Sequence, residues 1–156
     1  MAIYSLAGTT VSIGTTATID FSTESAARTA FAADTYVPIA ECETISDFGD
    51  TAADVPFTSL TDARTRHLKG STDGGSAEIT CAEVSTDAGQ AAVKAASAAG
   101  HQDEYNIKFA WPNGDVGYIR GPVMAWSRVN GTGPDNVMKR QFAVSNNYGE
   151  IVVLAF

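Results

Sequence analysis

The side chains in this sequence that invite chemistry are two histidines, two cysteines and a few neighbouring carboxylates, and their spacing argues against a reaction centre. His67 and His101 stand without a serine or cysteine in a nucleophile-elbow setting. Cys42 and Cys81 form no CxxC and have no His or Cys at ligand spacing, so a zinc site is not expected. Both fall in apolar-alternating segments and read as small buried hydrophobes. The acid pairs Asp103-Glu104 and Glu41/Glu43 would need convergent geometry to act as acid and base. Asp73-Gly74-Gly75 is too short and ligand-poor for a calcium loop, and GxGxxG, P-loop and HExxH patterns are absent from the sequence. The expectation is a protein that is not an enzyme and has no catalytic residues, cofactor or metal.

The elements that any site would need are clearer. At 156 residues the chain suits one domain spanning 1–156. Hydrophobic residues make up 44% and charged residues 18%, which supplies a core and excludes disorder. The net charge of −8 disfavours binding nucleic acid through a basic face. Residues 1–60 carry eight acids against one base, whereas residues 61–156 are nearly balanced, so one surface is expected to be acidic. The N-terminus lacks the basic and apolar stretches of a secretory signal. The longest apolar run, Ile151–Phe156, falls far short of the ~20 residues of a membrane span, so no membrane partner is expected. Asn130-Gly131-Thr132 reads as turn chemistry, not as a glycan site.

Residues 1–33 predict a loosely packed N-terminal arm or loop with a short strand near Thr10–Ile13, ahead of a β-sandwich core over 34–146. Tyr36–Ile45 predicts a strand with Glu41 and Glu43 at water. Residues 46–72 lack a period and read as a long functional loop, acidic at its start and basic at its end. Asp73-Gly74-Gly75 predicts a tight turn into the half-buried strand Ser76–Val84. Asp87 and Gln90 form a capping-box pattern ahead of a helix over about 87–99, closed by Gly100. Tyr105–Trp111 alternates sharply, and Pro112-Asn113-Gly114-Asp115 predicts a type I′ hairpin. The return strand runs to Val129 with a bend at Gly121-Pro122, and Val137–Ser145 is a further strand. Residues 147–156 form a C-terminal arm or strand, suited either to the core or to docking on another subunit. The pattern is mainly β: an antiparallel β-sandwich or open barrel with one flanking α-helix and extended termini.

Several of these segments, in order, resemble the major tail tube proteins of siphophages. They are Tyr36–Ile45 running into Val55-Pro56-Phe57-Thr58-Ser59-Leu60; Leu68-Lys69-Gly70 through Asp73-Gly74-Gly75; the Asp87-Ala88-Gly89-Gln90 helix start; and Tyr105–Asp115 followed by Gly121-Pro122-Val123 and a strand with Lys139-Arg140. The resemblance covers about residues 36–146. It implies a self-assembling virion protein whose hexameric rings stack into a hollow conduit for DNA delivery. The implied partners are further copies of the chain, the tape measure protein, the tail terminator and distal tail proteins, with phage DNA passing through unbound. The implied location is the virion tail, after assembly in the host cytoplasm. Phe48, Val55, Phe57 and Leu60, apolar in an otherwise polar loop, are expected at inter-ring contacts, with Arg64 and Arg66 facing acids of a neighbour. Glu78 and Thr80, the polar parity of their strand, are candidates to face the lumen. The alternatives are a receptor- or carbohydrate-binding β-sandwich of a virion, which needs clustered exposed aromatics, and the related tube of a gene-transfer or secretion machine.

Overall fold

A computed structural model describes residues 2–131 and 133–154. In chain order its elements are β1 (Thr10–Ile13), α1 (Glu24–Ala33), β2 (Val37–Ile39), β3 (Cys42–Ile45), β4 (Thr51–Thr58), β5 (Thr65–Asp73), β6 (Ser76–Ala82), α2 (Ala88–Ala96), β7 (Tyr105–Ala110), β8 (Val116–Gly121), β9 (Val123–Val129), β10 (Lys139–Ser145) and β11 (Ile151–Val153). They build a five-stranded sheet ordered β11-β8-β7-β1-β2, a four-stranded sheet ordered β3-β6-β10-β9, and a separate two-stranded ribbon, β4-β5. Every strand pair is antiparallel. The expected sandwich is present.

Alternation sorts the side chains. Val11, Ile13, Ile107, Phe109 and Ile119 point inward from the larger sheet to meet Ala77, Ile79, Phe142 and Val144 from the smaller, all essentially inaccessible to water. Helix α2 packs against β1, β2 and β9 and adds Val93 and Ala96 to this core. Asp87 caps it by accepting from the Gln90 N–H (2.9 Å). The Gln90 side chain does not return the capping-box bond. It is buried, accepts from Val84 N–H (3.0 Å), and donates to the carbonyls of Ala82 (2.8 Å) and Ala40 (3.1 Å), tying helix to sheet. The helix ends at Ala96, three residues short of the expected span.

Two expected strands each prove to be two, because the chain changes sheet within them. Between β2 and β3 it crosses at Ala40-Glu41, where Glu41 takes φ +57°. That crossing resets the alternation and leaves Glu41 and Glu43 at water, as expected. Between β8 and β9 it crosses at Gly121-Pro122. A Cβ on Gly121 would stand 1.6 Å from the Ser145 carbonyl oxygen, so only glycine fits. The β7–β8 hairpin forms where predicted, but its loop holds five residues, 111–115, closed by Trp111 N–H to the Asp115 carbonyl (2.9 Å), and only Gly114 takes positive φ. Residues 1–33, expected to be loosely packed, contain both β1, central in the larger sheet, and a second helix, α1, capped by Thr23. The terminal segment pairs through β11 with β8 of its own chain; the rest of the expected strand, residues 155–156, lies outside the described residues, as does Thr132.

Helix α1 sets the two sheets apart. Ala27 and Phe31, one turn apart, bury against Tyr118 and Ile19, with Ile151 and Val153 beside them, on the outer face of the larger sheet. Phe31 stacks on Tyr118 at 5.0 Å between ring centroids. A polar clamp secures the chain leading to this helix. Asn106 on β7 and Arg120 on β8 are directly paired and buried. Arg120 donates to Asn106 Oδ1 (2.7 Å) and to the carbonyls of Ala17 (2.6 Å) and Thr16 (3.3 Å). Asn106 Nδ2 donates to Asp34 Oδ2 (2.8 Å), which also accepts from Thr15 N–H (2.9 Å). Burial opposes ionisation of Asp34, but the bonds from Thr15, Asn106 and Thr35 outweigh it and hold its carboxyl below the usual carboxylate range.

Two outcomes follow from the clamp. Arg120→Ala leaves the buried Asn106 Oδ1 without its donor, removes the bonds to the Thr16 and Ala17 carbonyls, and lowers unfolding free energy by about 3 kcal/mol in urea titration. A depressed carboxylate stabilises the fold fully above its unfolded pKa of about 4 and loses that contribution as pH falls through the folded value. The stability gap between the wild type and Asp34→Asn is therefore widest near neutrality and narrows below about pH 4, as thermal unfolding at a series of pH values would show.

Candidate functional site: exposed sheet face, free edges and projecting ribbon

With α1 over the larger sheet, the smaller sheet keeps a bare outer face. Along β6, Ala77, Ile79 and Cys81 point into the core while Ser76, Glu78 and Thr80 point out. Register places Ser145 beside Ser76, Ala143 beside Glu78 and Gln141 beside Thr80, with Ala125 and Ser127 opposite Ala143 and Gln141 on the next strand. The face is thus paved with small and uncharged side chains, and Glu78 is the carboxylate at its middle. Gln141 Nε2 reaches Glu78 at 3.5 Å. Charge at the end of the face is paired: Lys139 meets Glu43 at 2.8 Å. Nearby, Glu83 bridges Arg128 (2.9 Å) and Arg140 (3.3 Å).

Both edges of this sheet are open, because β3 at one side and β9 at the other lack a further strand among the described residues. An open strand edge offers unpaired N–H and C=O groups to another chain. Beside β3 lies a cleft of about 630 Å³ lined by Leu6, Cys42, Ile45, Phe48, Trp111 and Glu150 among others. Burial raises the Glu150 carboxyl above its ordinary pKa. On β9, Met124 projects into water at the bulge that breaks its register with β10.

The segment expected to be a structureless loop is the β4–β5 ribbon. The eight residues of β4, at about 3.4 Å each, make it roughly 25–30 Å long. Nearly every residue on it is exposed on both faces, so it reaches away from the sandwich and not along it. Val55 pairs with Leu68 and Phe57 with Arg66, which puts those four on one face. Asp54, Pro56, His67 and Thr58 share the other, where Asp54 meets His67 Nδ1 at 2.9 Å. At the tip Leu60 is fully exposed and Ala63 takes φ +54°.

The base is fixed. Asp73 Oδ1 accepts from Gly75 N–H (2.9 Å), and Gly75, at φ +70°, turns the chain from the ribbon into β6. The buried Asn146 donates its N–H to the Gly75 carbonyl (2.9 Å) and its Nδ2 to the Gly74 carbonyl (3.3 Å). The expected turn at Asp73-Gly75 therefore forms, and it joins two sheets instead of adjacent strands.

The residues singled out from the sequence separate into groups. Val55, Phe57 and Leu60 are exposed on the ribbon. Phe48 is not: it stacks on Phe109 at 5.0 Å and belongs to the chain's own core. Arg66 pairs with Asp62 of its own tip (2.7 Å), while the Arg64 guanidinium makes no ion pair among the described residues. Glu78 is exposed and Thr80 half-exposed on the bare face. Leu68 and Met124 were missed from the sequence, although Leu68 stands in the same polar stretch as Phe57. His67 and His101 are exposed, with their ring nitrogens beside the carboxyl groups of Asp54 (2.9 Å) and Asp103 (3.3 Å). Tyr105, Phe109 and Trp111 pack in or against the core. Among the described residues no group of His, Cys, Asp and Glu could hold a metal, and no helix is long and apolar enough to cross a membrane.

The family model described as "Phage tail tube protein, TTP" matches residues 3–152. No curated protein matches the chain. Among solved structures, a chain of the anti-feeding prophage baseplate superposes with a TM-score of 0.70 at 9% identity, covering 99% of this chain and 98% of that one. A chain from the sheath/tube terminator of an extracellular contractile injection system gives 0.69 at 6% identity, covering 98% of both. The SPP1 tail tube gives 0.56 at 17% identity, covering 92% of this chain and 75% of that one.

Because the ribbon's apolar side chains touch little of their own chain, Phe57→Ser and Leu60→Ser should each shift unfolding free energy by no more than about 0.5 kcal/mol. Phe142→Ala, by contrast, opens a cavity in the core and costs about 3–5 kcal/mol. Denaturant titration of the three variants checks the contrast.

Proposed function

This chain belongs to the phage tail tube protein family, and from that premise we propose that it is the repeating subunit of a hollow tube in the virion tail. Six copies join their four-stranded sheets edge to edge, β3 of one copy beside β9 of the next, and close a ring. The bare face carrying Glu78 and Thr80 lines the lumen, and α1 faces outward. The number six follows the family resemblance and the six-fold symmetry applied to the anti-feeding prophage baseplate.

The observation that carries this reading is the asymmetry of the sandwich: the five-stranded sheet has its outer face covered by α1, while the four-stranded sheet, among the described residues, keeps a bare outer face between its edge strands β3 and β9. Closing six such sheets into a ring pairs both edges of the four-stranded sheet. A lumen paved with Ser, Thr, Ala and Gln, tinged by Glu78 and with Lys139 at its end tied up by Glu43, offers phosphate no unpaired cation to hold, so DNA passes without specific binding. The tape measure protein occupies the lumen during assembly in the host cytoplasm, and the tail terminator and distal tail proteins close the two ends. The role is structural, with no reaction catalysed.

The β4–β5 ribbon supplies the stacking contact. An isolated two-stranded ribbon is marginal in water, and burying Val55, Phe57, Leu60 and Leu68 against the adjacent ring returns about 1.5–3 kcal/mol per side chain. Arg64 faces a carboxylate of that neighbour, and Arg66 exchanges Asp62 for one. Such head-to-tail contacts repeat without closing and so give a filament.

The double variant Phe57→Asp/Leu60→Asp tests the contact. It should fold with a melting temperature close to the wild type and, in negative-stain electron microscopy, yield no tubes where the wild type yields hollow tubes of uniform width. Removal of residues 50–66 should do the same. Tubes of normal length from either variant would remove the ribbon from the stacking role.

A further inference from the structure

We propose that Cys42 and Cys81 form a reversible intrachain disulfide that staples the edge strand β3 to β6 when the protein meets an oxidising environment. The proposal rests on the chain's own geometry and is independent of the tube reading.

The two cysteines are direct partners across β3 and β6. Their sulfurs stand 2.9 Å apart as free thiols. Ala82 N–H donates to the Glu41 carbonyl at 2.9 Å, which places Cys42 and Cys81 at a position where neither exchanges a backbone hydrogen bond with the other. Antiparallel strands bring facing Cα atoms closest, to about 4.5 Å, at such a position, inside the range a disulfide spans. Small rotations about the two side chains would complete the bond without moving the backbone.

The surroundings divide the roles. Cys81 is buried in the core, whereas Cys42 is half-buried and lines the open cleft beside β3. The hydrogen bond from Cys81 lowers the Cys42 thiol below its ordinary pKa, and the same bond together with burial raises Cys81. Cys42 is therefore the attacking thiolate and Cys81 the resolving thiol. With a small-molecule disulfide RSSR as oxidant, Cys42 thiolate attacks one sulfur, forms a mixed disulfide and releases RS⁻, which takes up a proton. Cys81 gives up its proton, attacks the Cys42 sulfur and displaces the second RS⁻. The balance is two protein thiols and RSSR to one protein disulfide and two RSH.

The consequence is local. β3 is short, bulged against β6 and open on its other side. A covalent tie to the central strand β6 suppresses its fraying. In a reducing cytoplasm the dithiol persists, and outside the cell the disulfide does.

The test uses the full chain, incubated folded with bis(2-hydroxyethyl) disulfide, acid-quenched, unfolded and alkylated with N-ethylmaleimide before intact-mass measurement. The expected product is a monomer about 2 Da lighter that takes up no maleimide, returning to two maleimides after reduction. Its melting temperature should rise by about 5–10 °C over the reduced form. Cys81→Ser should stop at the Cys42 mixed disulfide as fast as the wild type is oxidised, whereas Cys42→Ser, which keeps only the buried Cys81, should form its mixed disulfide much more slowly; equal rates would remove Cys42 as the entry point. Two alkylatable thiols after treatment, a stable mixed disulfide in the wild type, or disulfide-linked dimers would each overturn the proposal.

Discussion

Two packed β-sheets can bury only the faces they turn toward each other, and the outer faces and edges that remain decide what such a sandwich becomes. Here the outer surfaces are treated unequally. The five-stranded sheet is covered by α1 through Phe31 and Ala27, and the polypeptide leading to that helix is pinned by Arg120, Asn106 and Asp34. Among the described residues nothing covers the four-stranded sheet, and its outer face has few apolar side chains that would need cover. Its edges are the unsettled groups, since backbone donors and acceptors there find partners only in water or in another strand. The chain belongs to the tail tube family, and it shares its fold with a chain of the anti-feeding prophage baseplate and with the SPP1 tail tube.

The ribbon follows the same logic by a different route. Its residues form a strand pair of ordinary register, yet little of its apolar surface is buried within its own chain. A sequence selected only for the stability of the monomer would not keep Phe57 and Leu60 in water. The firm base at Asn146, Gly74 and Gly75 shows that the ribbon's direction is set by the sandwich, so its apolar face is presented at a fixed place.

How far the sequence could be read depended on whether a segment's surroundings left a trace in its periodicity. β6, β7 and β10 lie between a core and an outer surface, and their alternation placed Ile79, Ile107, Phe109 and Phe142 correctly inward. The ribbon is exposed on both faces, and its alternation is confined to Asp54–Thr58 between the bulge at Ala53 and the tip, too short a run to stand out, so the segment reads as a loop. The sheet changes at Ala40-Glu41 and Gly121-Pro122 read as one strand each because the polypeptide stays extended through both. Helix α1 buries only Ala27 and Phe31, too narrow a stripe to stand out, although Thr23 ahead of Glu24 was a capping signal available to be used. Phe48 was assigned to the loop by its polar neighbours, but its ring had the Phe109 face to cover. The meeting of Cys42 and Cys81 depends on the β3–β6 register, which neither segment specifies alone.

Which sheet faces the axis of the tube and how neighbouring copies join are both visible by cryo-electron microscopy of assembled tubes. The proposed arrangement has an inner wall that is one continuous β-sheet, with β3 of each copy hydrogen-bonded to β9 of the next and Glu78 pointing into the lumen. An inner wall formed by the five-stranded sheet, or subunits that meet only through loops with β3 and β9 left unpaired, would contradict it.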